Sequence, residues 1–244
     1  MPPDLLIPLT AGIFVVALLY SSVGHAGASG YIALMSLLSL APATIKPTAL
    51  ALNILVATIG TFQFWRAGHF SWRLFWPFAL LSVPAAWIGG YLNLPKQVFQ
   101  MLVGLTLLYS AARFVLRPPA ETEPGEVPLP AALAIGAGIG LLAGLTGTGG
   151  GIFLTPVLLF LGWARTRTAA AVSAPFILVN SISGLSGNVS SSGQFPAFAL
   201  PLLVAAGVGG AIGSQLGSQR FDPVLIKRLL AAVLLIAGLK LLLT

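Results

Sequence analysis

Charged residues are scarce in this sequence. Of its 244 residues, 7% are charged and 57% are hydrophobic, whereas a soluble domain carries roughly 25% charged residues. The mean hydropathy is +0.98, and all five acidic residues lie outside the long apolar runs. This composition predicts an integral membrane protein and argues against a soluble domain.

Cysteine is absent, which excludes disulfides and thiolate metal sites. The two histidines, His25 and His69, are too few for a His-rich metal site, so we expect no bound metal and no cofactor. No G-x-x-x-x-G-K-[ST] sequence occurs, so we expect no nucleotide hydrolysis through a P-loop. The net charge of +7 comes from basic residues placed singly or in pairs at the ends of apolar runs. Such placement is typical of orientation signals, and we expect no nucleic-acid partner.

One polar, Pro-rich stretch divides the chain into two parts. It reads "RPPAETEPGEVPLP" and covers residues 117–130. Stretches of this composition are typical of linkers. We therefore predict a first transmembrane repeat over residues 1–117, a cytoplasmic linker over 118–130 and a second transmembrane repeat over 131–244.

The two halves resemble each other in their breaks and loops. The apolar runs 5–45 and 127–164 are each too long for one bilayer span of about 20 residues. They are interrupted by "VGHAGASG" (23–30) and "LTGTGGG" (145–151), and "RAGHF" (66–70) also matches "SSGQF" (191–195). Matched points lie 121 to 128 residues apart, which predicts a tandem repeat of about 120 residues.

The basic residues predict the orientation of the repeats. Placing basic loops in the cytoplasm puts 66–73, 113–130, 163–167 and 218–228 inside, and 41–47, 93–96 and 190–197 outside. Matched loops then face opposite sides. We predict an all-α polytopic membrane protein of two inverted repeats, each with about five helical segments and a broken or hairpin helix at its Gly-rich motif. The alternative is eight helices in two parallel sets of four.

Small residues recur at helical spacing in the second half. Gly136, Gly140 and Gly144 lie four residues apart, and so do Gly209, Gly213 and Gly217. Glycines at this spacing let helix backbones approach closely in lipid. We predict close helix packing at both sets.

The Gly-rich breaks indicate a binding site for an anion. Irregular backbone at membrane depth is tolerated only where it is buried or lines a wet cavity. The helix after a break begins with free N–H groups, which together with the helix dipole favour an anion. Two breaks related by an inverted repeat are expected to meet near the bilayer midplane, where transporters bind substrate. For either break alone, a plain Gly turn between helices is the alternative.

The predicted site draws on both breaks and on polar residues of the helices that follow. His25, an ionisable residue at membrane depth, is a functional candidate, although it could serve as a hydrogen-bonded packing residue. The other polar side chains could instead make interhelical hydrogen bonds. No catalytic or metal-ligating residue is assigned. The predicted substrate-binding residues are Gly24, His25, Gly27, Ser29, Gly30, Thr48, Asn53, Thr146, Gly147, Thr148, Gly149, Gly150, Ser173 and Asn180.

The sequence resembles the TauE/SafE-like sulfite exporter family, also called the 4-toluene sulfonate uptake permease family, over nearly the whole chain. The resemblance is carried by "GLLAGLTGTGGGIFLTPVLLFLG" (140–162), "SSVGHAGASGYIALMSLLSL" (21–40) and "SGNVSSSGQF" (186–195). It implies transport of sulfur-containing anions such as sulfite, sulfoacetate or other organosulfonates in a bacterial inner membrane. It also implies that residues 24–30 and 146–151 are elements of the anion site.

The membrane potential favours one direction of transport. With the inside negative, each anionic charge that leaves the cell gains about 2.3 kcal/mol per 100 mV. We therefore predict an exporter driven by the potential, in which the two repeats move relative to each other and His25 modulates transport. The expected partners are a small anionic substrate and the lipid bilayer, and the prediction allows a homodimer.

Two other classes of function remain open on the sequence alone. A passive anion channel would use the same site without alternating access. An intramembrane serine protease is suggested by "GASG" (27–30) and "GLSG" (184–187), which both fit G-x-S-G. A protease serine also needs a base within hydrogen-bond reach, and the sequence offers only His69 downstream of the first motif and no histidine downstream of the second.

Overall fold

The chain is built from helices. The structure, a computed structural model, describes residues 3–22, 25–115, 124–193 and 200–217, together with 231, 234–236, 238–239 and 242–243, and contains no strand in these ranges. The last group of positions is helical. The other helices are α1 (Pro3–Ser22), α2 (Ala28–Leu37), α3 (Pro42–Arg66), α4 (Trp72–Tyr91), α5 (Lys96–Val115), α6 (Leu129–Thr146), α7 (Gly151–Phe160), α8 (Thr166–Ser192) and α9 (Leu200–Gly217).

The helices have the lengths and surfaces of a protein that crosses the bilayer several times. Within the described ranges, α3, α4, α6 and α8 are long and apolar enough to span a membrane, and the other helices contribute shorter apolar stretches. Large apolar side chains such as Ile7 and Leu200 are exposed on the outer surface, as lipid contact requires. The predicted all-α polytopic membrane fold is confirmed.

Both Gly-rich segments interrupt helices where the sequence predicts breaks. The first separates α1 from α2, and Gly27 caps α2 with φ at +103°. The second separates α6 from α7, with φ at +82° for Gly147, +74° for Gly149 and +86° for Gly150. Glycine adopts this left-handed region without the steric cost of a Cβ, so the chain can leave one helix and start another within a few residues. Gly24 lies outside the described residues.

Glycines on α6 allow α4 and α6 to pack at backbone contact. A Cβ added at Gly136 would meet the carbonyl oxygen of Phe78, and one added at Gly144 would meet that of Ala86. Because the residue numbers rise together on both helices, α4 and α6 run parallel. The close packing predicted for these glycines is confirmed.

Helices α1 and α9 form a second parallel pair. A Cβ added at Gly209 on α9 would lie 2.5 Å from the carbonyl oxygen of Phe14 on α1, and one added at Gly213 would meet the carbonyl oxygen of Leu18. The contacts of Gly217 are not among those that the structure describes. The α4–α6 pair and the α1–α9 pair have the most extensive contacts of any helix pairs in the described chain.

We expect Gly144→Ala to destabilise the protein and Gly138→Ala to leave its stability unchanged or slightly raised. At Gly144 the added methyl group would collide with the backbone of α4, and overpacking of this kind costs about 1–3 kcal/mol. At Gly138, on the same helix, the added Cβ has no neighbour within 4 Å, and alanine has the higher helix propensity by up to about 1 kcal/mol. Thermal unfolding of both variants in detergent measures the difference, and equal melting temperatures would contradict the packing argument.

Helices α3 and α8 cross the middle of the molecule antiparallel to each other. Gly60 faces Ala174, with its added Cβ at 3.8 Å from the alanine Cβ, whereas Asn53 bonds to Ser181. The residue numbers therefore run in opposite directions. Asn53 and Ser181 are both close to the midpoints of their helices, so their contact marks the central depth of the bundle.

The structure changes the interpretation of one basic residue. The sequence placed Lys46 in an outward-facing loop over residues 41–47, but α3 already begins at Pro42. Lys46 is therefore a helix residue, and only 5% of its surface is exposed. Burial is tolerated because its ammonium group donates three hydrogen bonds to backbone carbonyls.

Candidate functional site

The second break lies against the centre of the α3–α8 pair. A Cβ added at Gly149 would be 2.5 Å from Asn53 Nδ2 and 2.7 Å from Ser181 Oγ. The Asn53 side chain donates to the Thr148 carbonyl oxygen at 3.3 Å and to Ser181 Oγ at 3.4 Å. Only glycine at position 149 permits this approach, which places irregular backbone at the central depth of the bundle.

Two buried asparagines at this depth have polar atoms without a partner. Asn53 is 1% exposed and Asn180 is fully buried, yet Asn53 Oδ1 and Asn180 Nδ2 have no hydrogen-bond partner among the described residues. The Asn180 Oδ1 atom accepts a hydrogen bond from Ser82 Oγ at 2.8 Å. An unpaired buried polar group costs about 1–3 kcal/mol, so these atoms are suited to bind a solute or water that reaches them.

The start of α7 supplies backbone donors close to Asn53. Gly150 caps the helix without a side-chain hydrogen bond. The first N–H groups of any helix have no partner within it, and the helix dipole adds partial positive charge at the same end. The arrangement favours an anion next to Gly149 and Asn53.

The hydroxyl groups of the two threonines bond within the second break. Thr146 Oγ1 donates to the Leu142 carbonyl oxygen at 2.6 Å and lies 3.0 Å from Thr148 Oγ1. Because the single proton of Thr146 is used, Thr148 is the donor between the two hydroxyls. Both side chains therefore hold the shape of the break, and the unpartnered donors nearby are the first backbone N–H groups of α7.

The first break is lined by two buried tyrosines. Ser29 Oγ donates to the Tyr20 hydroxyl at 2.9 Å, and the Tyr31 hydroxyl donates to the Ala26 carbonyl oxygen at 2.9 Å. Gly27 and Gly30 leave room for the rings, since an added Cβ would lie 2.9 Å from Tyr31 at the former and 2.7 Å from Tyr20 at the latter. The first break is thus more filled by side chains than the second.

A small cavity adjoins His25. Its volume is about 20 Å³, room for roughly one water molecule. Ser21 contributes a buried hydroxyl with no partner among the described residues. The cavity is lined by Ser21, His25, Ala26, Val56, Ala57, Gly60, Phe64, Ala174, Gly210 and Ser214.

Both breaks touch the same part of α3. The second meets Asn53, and the cavity of the first is lined by Ala57 and Gly60. Seven residues of helix, from Asn53 to Gly60, rise by about 10 Å. The middle of α3 therefore connects the two breaks.

The remaining predicted residues lie in the helices beside the breaks. Thr48 is buried in α3. Ser173 is fully buried and shares a hydrogen bond of 2.7 Å with Thr155 across the α7–α8 contact, which favours the interhelical alternative for this side chain. Asn180 bonds to Ser82 on α4, whereas its neighbour Ser181 faces Asn53 on α3.

Sequence reasoning missed Ser181 and Ser82, the partners of the two asparagines, and Tyr20, the partner of Ser29. Ser181 could have been found, because it lies 128 residues after Asn53, at the upper end of the repeat spacing. Ser82 and Tyr20 gave no comparable signal, since one sits among apolar residues of α4 and the other near the end of α1. Lys46 was assigned to the outward-facing loop 41–47 and is not among the predicted substrate-binding residues.

A buried polar site at a broken helix, in the middle of a bundle of membrane helices, is the architecture of a membrane transporter. The chain belongs to the family described as "Sulfite exporter TauE/SafE", which matches residues 9–241. This confirms the resemblance seen in the sequence, and the protein is a multi-pass membrane transporter of that family.

Two named relatives extend over nearly the whole chain. A "Probable membrane transporter protein y4hK" of Sinorhizobium fredii is 46% identical over 241 residues, covering 97% of this chain and 98% of that protein. A "Probable membrane transporter protein YjnA" of Bacillus subtilis is 27% identical over 249 residues, covering 94% of this chain and 96% of that protein. No solved structure matches.

Proposed function

We propose that this protein exports small sulfur-containing anions, such as sulfite, sulfoacetate or other organosulfonates, across the bacterial inner membrane. The observation that carries the proposal is the position of the second break. It brings the start of α7 and the Asn53 amide together at the central depth of the α3–α8 pair. The free backbone N–H groups at the start of α7 suit an anion whose oxygen atoms accept hydrogen bonds.

The contacts between helices support two inverted repeats, at residues 1–117 and 131–244 with the linker at 118–130. In this scheme α1 corresponds to α6, α3 to α8, and α4 to α9. A two-fold axis in the membrane plane would then turn the α1–α9 pair into the α6–α4 pair, and both pairs are parallel and closely packed. The same axis would require α3 and α8 to pair antiparallel with each other, as they do through Asn53 and Ser181.

The placement of acidic residues along the sequence supports export. All five lie outside the long apolar runs, so these runs supply no carboxylate as a proton carrier for coupled import. An anion leaving a cell that is negative inside gains about 2.3 kcal/mol per charge per 100 mV. Export of a sulfonate or sulfite anion therefore needs no further source of energy.

Flux from proteoliposomes tests the direction and driving force. Vesicles loaded with sulfite or sulfoacetate should lose them faster when a potassium gradient with valinomycin makes the lumen negative, and vesicles loaded with acetate should not. About 60 mV should favour efflux of a monoanion by roughly tenfold at equilibrium. An efflux rate that is independent of the membrane potential and strictly requires a proton gradient would contradict the proposal. Saturable flux with counterflow would distinguish a transporter from a passive anion channel.

The hydrogen bonds of two serines favour transport over the protease alternative. Ser29 Oγ donates to the Tyr20 phenol, and Ser186 Oγ donates to the Ser183 carbonyl oxygen at 2.9 Å. Neither acceptor is a base that could activate a serine nucleophile. Both serines therefore have a structural explanation.

A further inference from the structure

Lys46 is the one charged side chain that is buried among the described residues. Its ammonium nitrogen donates to the carbonyl oxygens of Gly89 at 3.0 Å, Gly90 at 2.9 Å and Leu92 at 3.1 Å. An ammonium group has three donors and no acceptor, so its hydrogen bonds are fully used. The three carbonyls belong to the last turn of α4 and the residue after it, which fixes the position of the charge.

No described carboxylate pairs with Lys46. The negative groups beside it are the carbonyl ends of α4 and α6, each of which carries about half a negative charge. Among residues whose side chains the structure describes, Glu126 is the single carboxylate, and it is exposed. Glu126 precedes α6, whereas the second break follows that helix of 18 residues, a length of about 27 Å. Among the described side chains, therefore, no carboxylate neutralises Lys46.

The side chain of Lys46 borders the second break. A Cβ added at Gly147 would lie 3.1 Å from the Lys46 carbonyl oxygen and 3.4 Å from its Cγ. Gly89, which accepts a hydrogen bond from the ammonium group, packs on the end of α6, where its added Cβ would be 2.8 Å from the Leu145 backbone nitrogen. Both the stem and the charged end of Lys46 are thus in contact with the segments that lead into the break.

We propose that Lys46 is the fixed cation of the substrate site and that it selects anionic over neutral ligands at the second break. This inference rests on the proposed function. Because its three donors are engaged by α4, Lys46 acts on the substrate through its electric field and makes no hydrogen bond to it. Burying an unpaired charge is costly, and ionisable residues kept at membrane depth mark substrate pathways.

A pair of ligands that differ in charge but hardly in shape separates this role from a purely structural one. Methanesulfonate is an anion and dimethyl sulfone is its neutral counterpart. A unit charge acting across roughly 8–10 Å of protein interior changes the affinity for an anion by on the order of tenfold. In isothermal titration of the purified protein, Lys46→Gln should weaken methanesulfonate binding by about that factor and leave competition by dimethyl sulfone unchanged. Lys46→Arg, which keeps the charge, should restore methanesulfonate binding.

The outcomes distinguish this inference from the function on which it rests. If Lys46→Gln loses affinity equally for methanesulfonate and dimethyl sulfone, the residue only holds α4 in place. Unchanged affinity for methanesulfonate would also overturn the inference. If Lys46→Gln does not fold, the wild-type protein must still prefer methanesulfonate over dimethyl sulfone by about tenfold, and equal affinities would refute the role of a fixed cation. A wild-type protein that binds no sulfonate or sulfite would overturn the proposed function, and this inference with it.

Discussion

Gly149→Ala is expected to abolish transport. The added methyl group would enter the space between the second break and the α3–α8 pair, 2.5 Å from Asn53 Nδ2 and 2.7 Å from Ser181 Oγ. Either the amide or the break must move, and a shift of about 1 Å in a positioned group can cost about a hundredfold in function. Substrate flux in proteoliposomes measures the loss.

Gly68→Ala is the matched control for this change. Gly68 has the same positive φ of +74° as Gly149, but its added Cβ has no neighbour within 4 Å. The left-handed backbone therefore destabilises both variants by a similar amount, about 1–2 kcal/mol. Only the methyl group of Gly149→Ala enters the space beside Asn53 and Ser181. Equal transport by the two variants would contradict the assignment of Gly149 to the site.

Asn53→Asp is expected to abolish binding of the anionic substrate. The two side chains have nearly the same shape, but the carboxylate would place negative charge where we propose that the anion binds. Two like charges about 4 Å apart at an effective dielectric constant of 20 repel by about 4 kcal/mol, close to a thousandfold in affinity. Titration with sulfite or methanesulfonate measures the loss.

The same substitution at Asn93 serves as its control. Asn93 follows α4 and is exposed, and its amide donates to Ser191 Oγ at 2.7 Å. A carboxylate there faces solvent and should leave substrate affinity unchanged. Asn53→Asp binding the anion as tightly as Asn93→Asp would place the substrate elsewhere in the molecule.

The helix breaks could be predicted from the sequence because their cause is local. A run such as "LTGTGGG" (145–151) combines poor helix formers with residues that tolerate positive φ, and α6 indeed ends before Gly147. The close approach at Gly136 and Gly144 was equally local, since the spacing alone places both on one face of a helix. What the spacing did not indicate was the partner helix.

The polar partners could not be predicted because they depend on packing between distant segments. Ser82 and Asn180 are 98 residues apart, and each taken alone could equally face a neighbouring helix. Lys46 was misjudged for a related reason. A lysine between two apolar runs is predicted to lie in a loop, and only the contact with the end of α4 shows that its ammonium group has three acceptors inside the protein.

The pairing of α1 with α9 has a consequence for how the protein is made. The backbone contact between Leu18 and Gly213 joins segments that are roughly 200 residues apart, and ribosomes add about 5–20 residues each second. Helix α1 therefore enters the bilayer about 10–40 s before its partner is synthesised. During that interval lipid, the insertion machinery or a neighbouring helix must cover the face that α9 later occupies, so the α1–α9 pair can form only after α9 has been synthesised.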